Sequence, residues 1–156
     1  MTSPIAHGQF TIERNYAATP QRVYTAWSDL GAKSQWFIGP DTWRQTRREL
    51  DFRVGGLEVL AGVFGGGRTT TYNARFHALI PAERIVYDYD MHIHDVFHSV
   101  SLATVELFPT SNDGTLLRFT EQVAFLDGTT DVAARDKGTA EHLDRLGKYL
   151  TRGAGH

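Results

Sequence analysis

Residues 130–150 limit what this chain can fold into more than any other stretch. Val132, Thr139, Leu143, Leu146 and Leu150 recur at helical spacing, while Asp131, Arg135, Asp136, Glu141, Arg145 and Lys148 fall largely off that stripe. The pattern predicts one amphipathic helix from Thr130 to Leu150. Leu126-Asp127-Gly128-Thr129 ahead of it is turn chemistry. Thr129, Thr130 or Asp131 can cap it, and Arg152, Gly153 and Gly155 end it. Nearly everything before it reads as strands. A long helix with a stripe to bury, following a run of strands, predicts an α+β domain in which a curved antiparallel sheet wraps around the helix. The space between sheet and helix is then the place to look for function.

The chain before the helix can be divided by its punctuation. Phe10, Ile12, Asn15 and Tyr16 mark a strand over residues 9–17. Thr19-Pro20 opens a short helix with an apolar side of Val23, Tyr24, Ala26 and Trp27, with Thr19 as N-cap and Pro20 at the first helical position. Ser28-Asp29 begins a second short helix that runs to Trp36-Phe37 and stops at Gly39-Pro40. A polar strand or loop follows, and Gly55-Gly56 permits a tight turn. Strands are expected at Leu57–Phe64, Thr69–Leu79, Arg84–Ile93, Ser99–Phe108 and Thr115–Phe125. Gly65-Gly66-Gly67, Pro81-Ala82-Glu83 and Asn112-Asp113-Gly114 supply turns between them. Ile85, Tyr87, Tyr89 and Met91 alternate with Val86, Asp88, Asp90 and His92, which predicts one buried and one wet face. Short turns between successive strands make antiparallel neighbours. The expected order is β-α-α, about six strands, then the long helix, with the two short helices closing one end of the sheet.

At 156 residues the chain is expected to form one domain, 1–156, with a real core. No apolar run approaches the roughly 20 residues that span a bilayer, and the N-terminal residues lack the basic and apolar regions of a signal peptide. The absence of cysteine excludes disulfides and thiolate chemistry and fits a cytoplasmic protein. A net charge of -2 provides no electrostatic footprint for nucleic acid. Arg44, Arg47 and Arg48 read as a solvated strand edge.

Several segments, in this order, carry a resemblance that covers nearly the whole chain. They are Ala17-Ala18-Thr19-Pro20-Gln21-Arg22-Val23-Tyr24-Thr25-Ala26-Trp27, Gln35-Trp36-Phe37, Leu50-Asp51-Phe52-Arg53-Val54-Gly55-Gly56, Pro81-Ala82-Glu83-Arg84-Ile85-Val86 and Gly114-Thr115-Leu116-Leu117. The sequence resembles the START-like, helix-grip superfamily. Within it, it is similar to the family homologous to the C-terminal domain of the activator of the heat-shock protein 90 ATPase. The resemblance implies a helix-grip fold with about six to seven strands. It leaves function to be argued from the site, because the fold hosts lipid carriers, receptors, cyclases and co-chaperone domains. The family's last helix usually opens with Gly-Trp, whereas this chain has Gly138-Thr139. A hydroxyl in place of an indole implies a roomier, slightly more polar pocket, unless His142 or Trp36 fills it.

Three groups of residues could carry chemistry. His92, His94 and His98, with Asp95 among them, could ligate zinc or a similar ion, but their spacing matches no established motif, and a polar rim is the simpler expectation. Glu121 shares strand parity with Leu117, Phe119 and Val123. If the strand stays regular, its carboxylate faces the cavity and needs an Arg, His or ligand hydroxyl as partner; otherwise it lies beyond the core. The aromatic residues, chiefly Trp36, Phe37, Phe76, Tyr87, Tyr89 and Phe119, either form the core or line a pocket for a planar or apolar ligand. Ser99, Ser101 and Ala103 share parity with Val105 and Leu107, and small inward side chains would leave room, unless a bulge turns Val100 and Leu102 inward instead.

The leading expectation is a binder of a small apolar or aromatic molecule, without metal or cofactor and with no assigned reaction. Trp36, Phe37, Phe76, Tyr87, Tyr89, Ser101, Phe119, Glu121, Thr139 and Leu143 would form its site. The alternatives are a cyclase-like enzyme using Tyr87, His92 or Glu121 in proton transfer, and a co-chaperone-like interaction module. Self-association into a homodimer is compatible with so small a domain.

Overall fold

The computed structural model describes residues 4–152, so Gly153 and Gly155, expected to end the last helix, lie outside them. The chain runs β1 (Ala6–Tyr16), α1 (Pro20–Ser28), α2 (Leu30–Lys33), β2 (Trp43–Leu50), β3 (Leu57–Phe64), β4 (Thr69–Ile80), β5 (Arg84–Ile93), β6 (Val96–Thr110), β7 (Gly114–Phe125) and α3 (Val132–Arg152). The seven strands form one curved antiparallel sheet in the order β1-β7-β6-β5-β4-β3-β2. Each strand from β2 to β7 pairs with the next. β1 instead crosses to the far edge beside β7, so the α1–α2 connection spans one end of the sheet. This is the expected α+β helix-grip architecture, with β6 three residues longer at its start than the sequence implied.

Local chemistry places the helices. The Thr19 hydroxyl accepts from the Arg22 N–H at 3.2 Å, and Pro20 occupies the first turn of α1. The Asp29 carboxylate accepts from Ala32 N–H at 2.8 Å and caps α2. Among the expected caps of α3 it is Asp131 that bonds the Ala134 N–H, at 3.0 Å. Leu143, Leu146 and Leu150 are the fully buried part of the α3 stripe. Tyr16 of β1 donates its hydroxyl to the Leu143 carbonyl at 2.7 Å, a buried bond that locks helix to sheet. Burial is the main cause of the raised pKa of that hydroxyl.

Strand parity decides which side chains meet the helix. From Ser99 to Thr110, β6 pairs with β7 without a register shift. Ser99, Ser101, Ala103, Val105 and Leu107 therefore point inward together with Leu117, Phe119, Glu121 and Val123, all of them buried. Val100 and Leu102 face outward and are exposed. The bulge that could have reversed this parity does exist, but one step earlier. Met91 pairs with Ser99 and His92 with Phe97, which leaves His98 as the extra residue of β6.

Candidate functional site

Between α3 and the inner face of the sheet lies a cavity of about 430 Å³. That is within the roughly 300–1,000 Å³ range of small-molecule sites. Its floor is the inward column of the central strands: Tyr72 from β4, Tyr87, Tyr89 and Met91 from β5, and Phe119 and Glu121 from β7. Trp27, Lys33 and the segment Trp36–Pro40 close one end, Trp43 and Leu60 form a side wall, and Arg135, Gly138, Thr139, His142, Leu143 and Arg145 of α3 form the roof. Tyr72 and Tyr89 lie 4.9 Å apart between ring centroids, and Phe37 meets Tyr72 edge-on at 5.1 Å. Trp43 reaches the wall because Gly39 and Gly62 lack side chains. A Cβ at either glycine would run into its indole, whose N–H is held by the Thr70 hydroxyl at 2.8 Å.

Two buried ion pairs are built into this frame. Glu121, wholly buried, faces Arg135 of α3 at 3.2 Å. Its Oε2 also accepts the hydroxyls of Tyr89 and Ser101, each at 2.7 Å. Arg135 donates on to Tyr89 Oη at 2.9 Å and to Ser99 Oγ at 2.8 Å. Of the two alternatives open for Glu121 the structure adopts the inward one, and the partner is an arginine. Sequence periodicity had put Arg135 off the apolar stripe, but its long side chain reaches back over the helix face to the cavity floor. The second pair was not foreseen: Lys33 Nζ bonds Glu58 Oε1 at 2.7 Å, with side-chain exposures of 2% and 3%. The Lys33 ammonium lies 5.1 Å from the ring centres of both Trp27 and Phe37. Burial pulls its pKa down, while Glu58 acts to raise it. No spacing in the sequence links the two residues, and the helix expected to run to Trp36-Phe37 ends at Lys33, whose side chain turns onto Glu58 of β3.

The expected ligand-contacting residues divide as follows. Trp36, Phe37, Tyr87, Tyr89, Phe119, Glu121, Thr139 and Leu143 border the cavity. Phe76 does not: it lies further along the same inner face of β4, buried against Phe52 at 4.8 Å and Tyr87 at 6.0 Å. Ser101 is not on the wall either, because its hydroxyl is spent on Glu121. The small residues of β6 thus make room for the Glu121–Arg135 network rather than for open space. Thr139 borders the cavity as expected from its place in the helix, and His142 fills part of the roof, packing on Phe37 at 4.9 Å.

The histidine cluster does not converge. His94 and Asp95, with φ of 51° and 66°, are the two residues of a tight turn between Ile93 and Val96, so His94 leaves the strand face it was expected to share with His92. His92 packs on Phe97 and lies 3.4 Å from Asp90. The bulge carries His98 away to Asp127, 2.7 Å distant. Burial opposes ionisation of Asp127, but bonds from His98 and Thr129 outweigh it and hold its carboxyl down at about 2. Among the described residues no three His, Asp or Glu side chains are grouped to hold a metal ion.

At neutral pH the tyrosines and the histidine that border the cavity are uncharged. Burial raises the hydroxyls of Tyr72, Tyr87 and Tyr89 above the ordinary tyrosine value, so at neutral pH they stay protonated. Burial and the Arg145 charge hold His142 down at about 4. That neutral ring is already engaged, since its Nδ1 accepts from Arg145 Nη2 at 2.7 Å. His92, one of the three proton-transfer candidates, stands outside the cavity.

A curved sheet gripping a C-terminal helix over an aromatic cavity defines the helix-grip class of domain. The chain belongs to the family described as Activator of Hsp90 ATPase homolog 1-like protein, whose model matches residues 17–151. It is similar to the Mll3558 protein of Rhizobium loti, with 40% identity and a TM-score of 0.86 over 94% of this chain and 99% of that one. A protein from Rhizobium leguminosarum is 39% identical, with a TM-score of 0.89 over 96% and 97% of the two chains. The AHSA1-like protein of Aeromonas hydrophila, 17% identical with a TM-score of 0.70 over 94% of each chain, shares the fold. No curated protein matches the chain. Among the described residues no helix is long and apolar enough to cross a membrane.

Proposed function

We propose that this protein binds a small apolar or aromatic molecule in the cavity between α3 and the sheet, with no reaction assigned. The observation that carries the reading is the cavity's wall, in which rings from α1, β2, β4, β5 and β7 surround about 430 Å³. Gly138 supports it independently. This glycine lies in mid-helix, where alanine would be more stable by about 1 kcal/mol, yet a Cβ there would meet nothing within 4 Å. Packing within the protein does not demand the glycine, whereas close approach of a ligand to the helix backbone would.

The test is native mass spectrometry of protein purified from its own host, with identification of any released molecule, joined to calorimetric titration of the recombinant protein with a panel of aromatic and alicyclic compounds. A co-purifying apolar molecule, or saturable one-to-one binding that Thr139→Trp abolishes, is the expected result. Absence of any saturable binding across the panel would overturn the reading.

A further inference from the structure

Besides its tyrosines, the ionisable side chains that line the cavity are Lys33, Glu121, Arg135, Glu141, His142 and Arg145. Lys33 is paired with Glu58 and Arg135 with Glu121. His142 is neutral at pH 7. Glu141 and Arg145 remain, one turn apart on α3. Glu141 is exposed, so water screens its charge. Arg145 is partly buried, where a charge is more costly without a counter-ion.

None of the partners of Arg145 is a carboxylate. Its Nε donates to the Trp36 carbonyl at 3.1 Å, and its Nη2 to the Ile38 carbonyl at 3.3 Å and to His142 Nδ1 at 2.7 Å. Among the described residues its Nη1 donates to nothing. The buried side-chain polar atoms without a partner are Trp27 Nε1 and Glu121 Oε1, so Nη1 of Arg145, equally without one, is not sealed off and its two N–H bonds can be reached. A second arginine adds to the same pole. Arg48 of β2, expected at a solvated edge, is partly buried and donates from Nη2 to the Phe37 carbonyl at 2.6 Å. The carboxylate that acts on it, Glu58, is already bound to Lys33. The successive carbonyls of Trp36, Phe37 and Ile38 thus gather both guanidinium groups at one end of the cavity. Burial keeps His142 neutral there, and the charges of Arg145, Lys33 and Arg48 reinforce it. Beside this positive pole Phe37 packs on His142 and Tyr72 and continues the aromatic wall.

Resting on the cavity reading above, we infer that the ligand carries a carboxylate that accepts from Arg145 at the end closed by Trp36–Pro40, with its apolar body against the aromatic floor. A neutral molecule of the same shape fills the floor and leaves the arginine unanswered.

The experiment uses matched triples of one shape: 2-naphthoate, 2-naphthamide and 2-naphthylmethylammonium, and the corresponding acid, amide and aminomethyl compounds of biphenyl and decalin. Each is titrated calorimetrically into the full chain at neutral pH. In every triple that binds, the acid is expected to bind about tenfold or more tightly than the amide, the size of one charge-assisted bond, and the ammonium compound most weakly. Arg145→Gln should remove the acid's advantage while the amide keeps its affinity. A merely structural role of Arg145, tying α3 to Trp36 and Ile38, would instead weaken acid and amide together and leave the ratio between them unchanged. An acid no tighter than its amide in the wild-type protein overturns the inference and leaves the cavity reading standing. So does an advantage that survives Arg145→Gln. If no member of any triple binds, the cavity reading falls and the inference with it. Should Arg145→Gln fail to fold, the wild-type comparison alone decides.

Discussion

Replacing Glu58 by glutamine would strand the Lys33 ammonium in a nearly dry site. The two side chains are 2% and 3% exposed and 2.7 Å apart. Their attraction at an effective dielectric of about 20 is roughly 6 kcal/mol, and most of it offsets the desolvation of two ions. Breaking one side of such a pair costs about 3–5 kcal/mol. The cost has a ceiling. At pH 7 the lysine can shed its proton for about 5 kcal/mol, being the distance from its ordinary pKa of about 10.4. With its partner gone, Lys33 would have a folded-state pKa further below its unfolded value, since burial already pulls it down. The unfolded state then binds more protons, so the stability of Glu58→Gln should rise with pH between about 7 and 10. Urea denaturation of wild type, Glu58→Gln, Lys33→Met and Lys33→Met/Glu58→Leu is the assay. The single variants should each lose about 3–5 kcal/mol, and the double variant should recover most of that, because it leaves no stranded charge. Single losses under about 1 kcal/mol, or a double loss equal to the sum of the singles, would refute the reasoning.

Three further outcomes are expected. His142 has a folded-state value of about 4 against an ordinary 6.5, so the unfolded chain takes up its proton first; stability should fall between about pH 6.5 and 4 by about 1–3 kcal/mol, and urea melts of His142→Gln should lack that part of the slope. Gly138→Ala should stabilise the empty protein by about 1 kcal/mol in thermal melts, since its Cβ meets nothing within 4 Å, while weakening cavity binding. Gly62→Ala should cost about 1–3 kcal/mol and expel Trp43 from the wall, seen as a red shift of tryptophan emission.

Much of the fold was legible because its signals are local. Period-two alternation in Arg84–Ile93 and turn residues at Gly65–Gly67 and Asn112–Gly114 mark strands without knowledge of their neighbours. The stripe of Leu143, Leu146 and Leu150 likewise marks a helix with one face to bury. Even the inward parity of Ser101, Phe119 and Glu121 follows from the repeat, since β6 and β7 pair without a shift from Ser99 onward. What the sequence could not determine depends on where side-chain ends come to rest. Arg135 reads as a surface residue by the position of its Cα, but its guanidinium lies five bonds away, at Glu121. Lys33 and Glu58 are 25 residues apart and become partners only when α2 is laid across the end of the sheet. His98 leaves its neighbours because a single extra residue in β6 rotates it out of the face. Periodicity thus assigned faces, while pairing across the fold assigned chemistry, because a hydrogen bond is decided within a few tenths of an ångström that only tertiary packing can set.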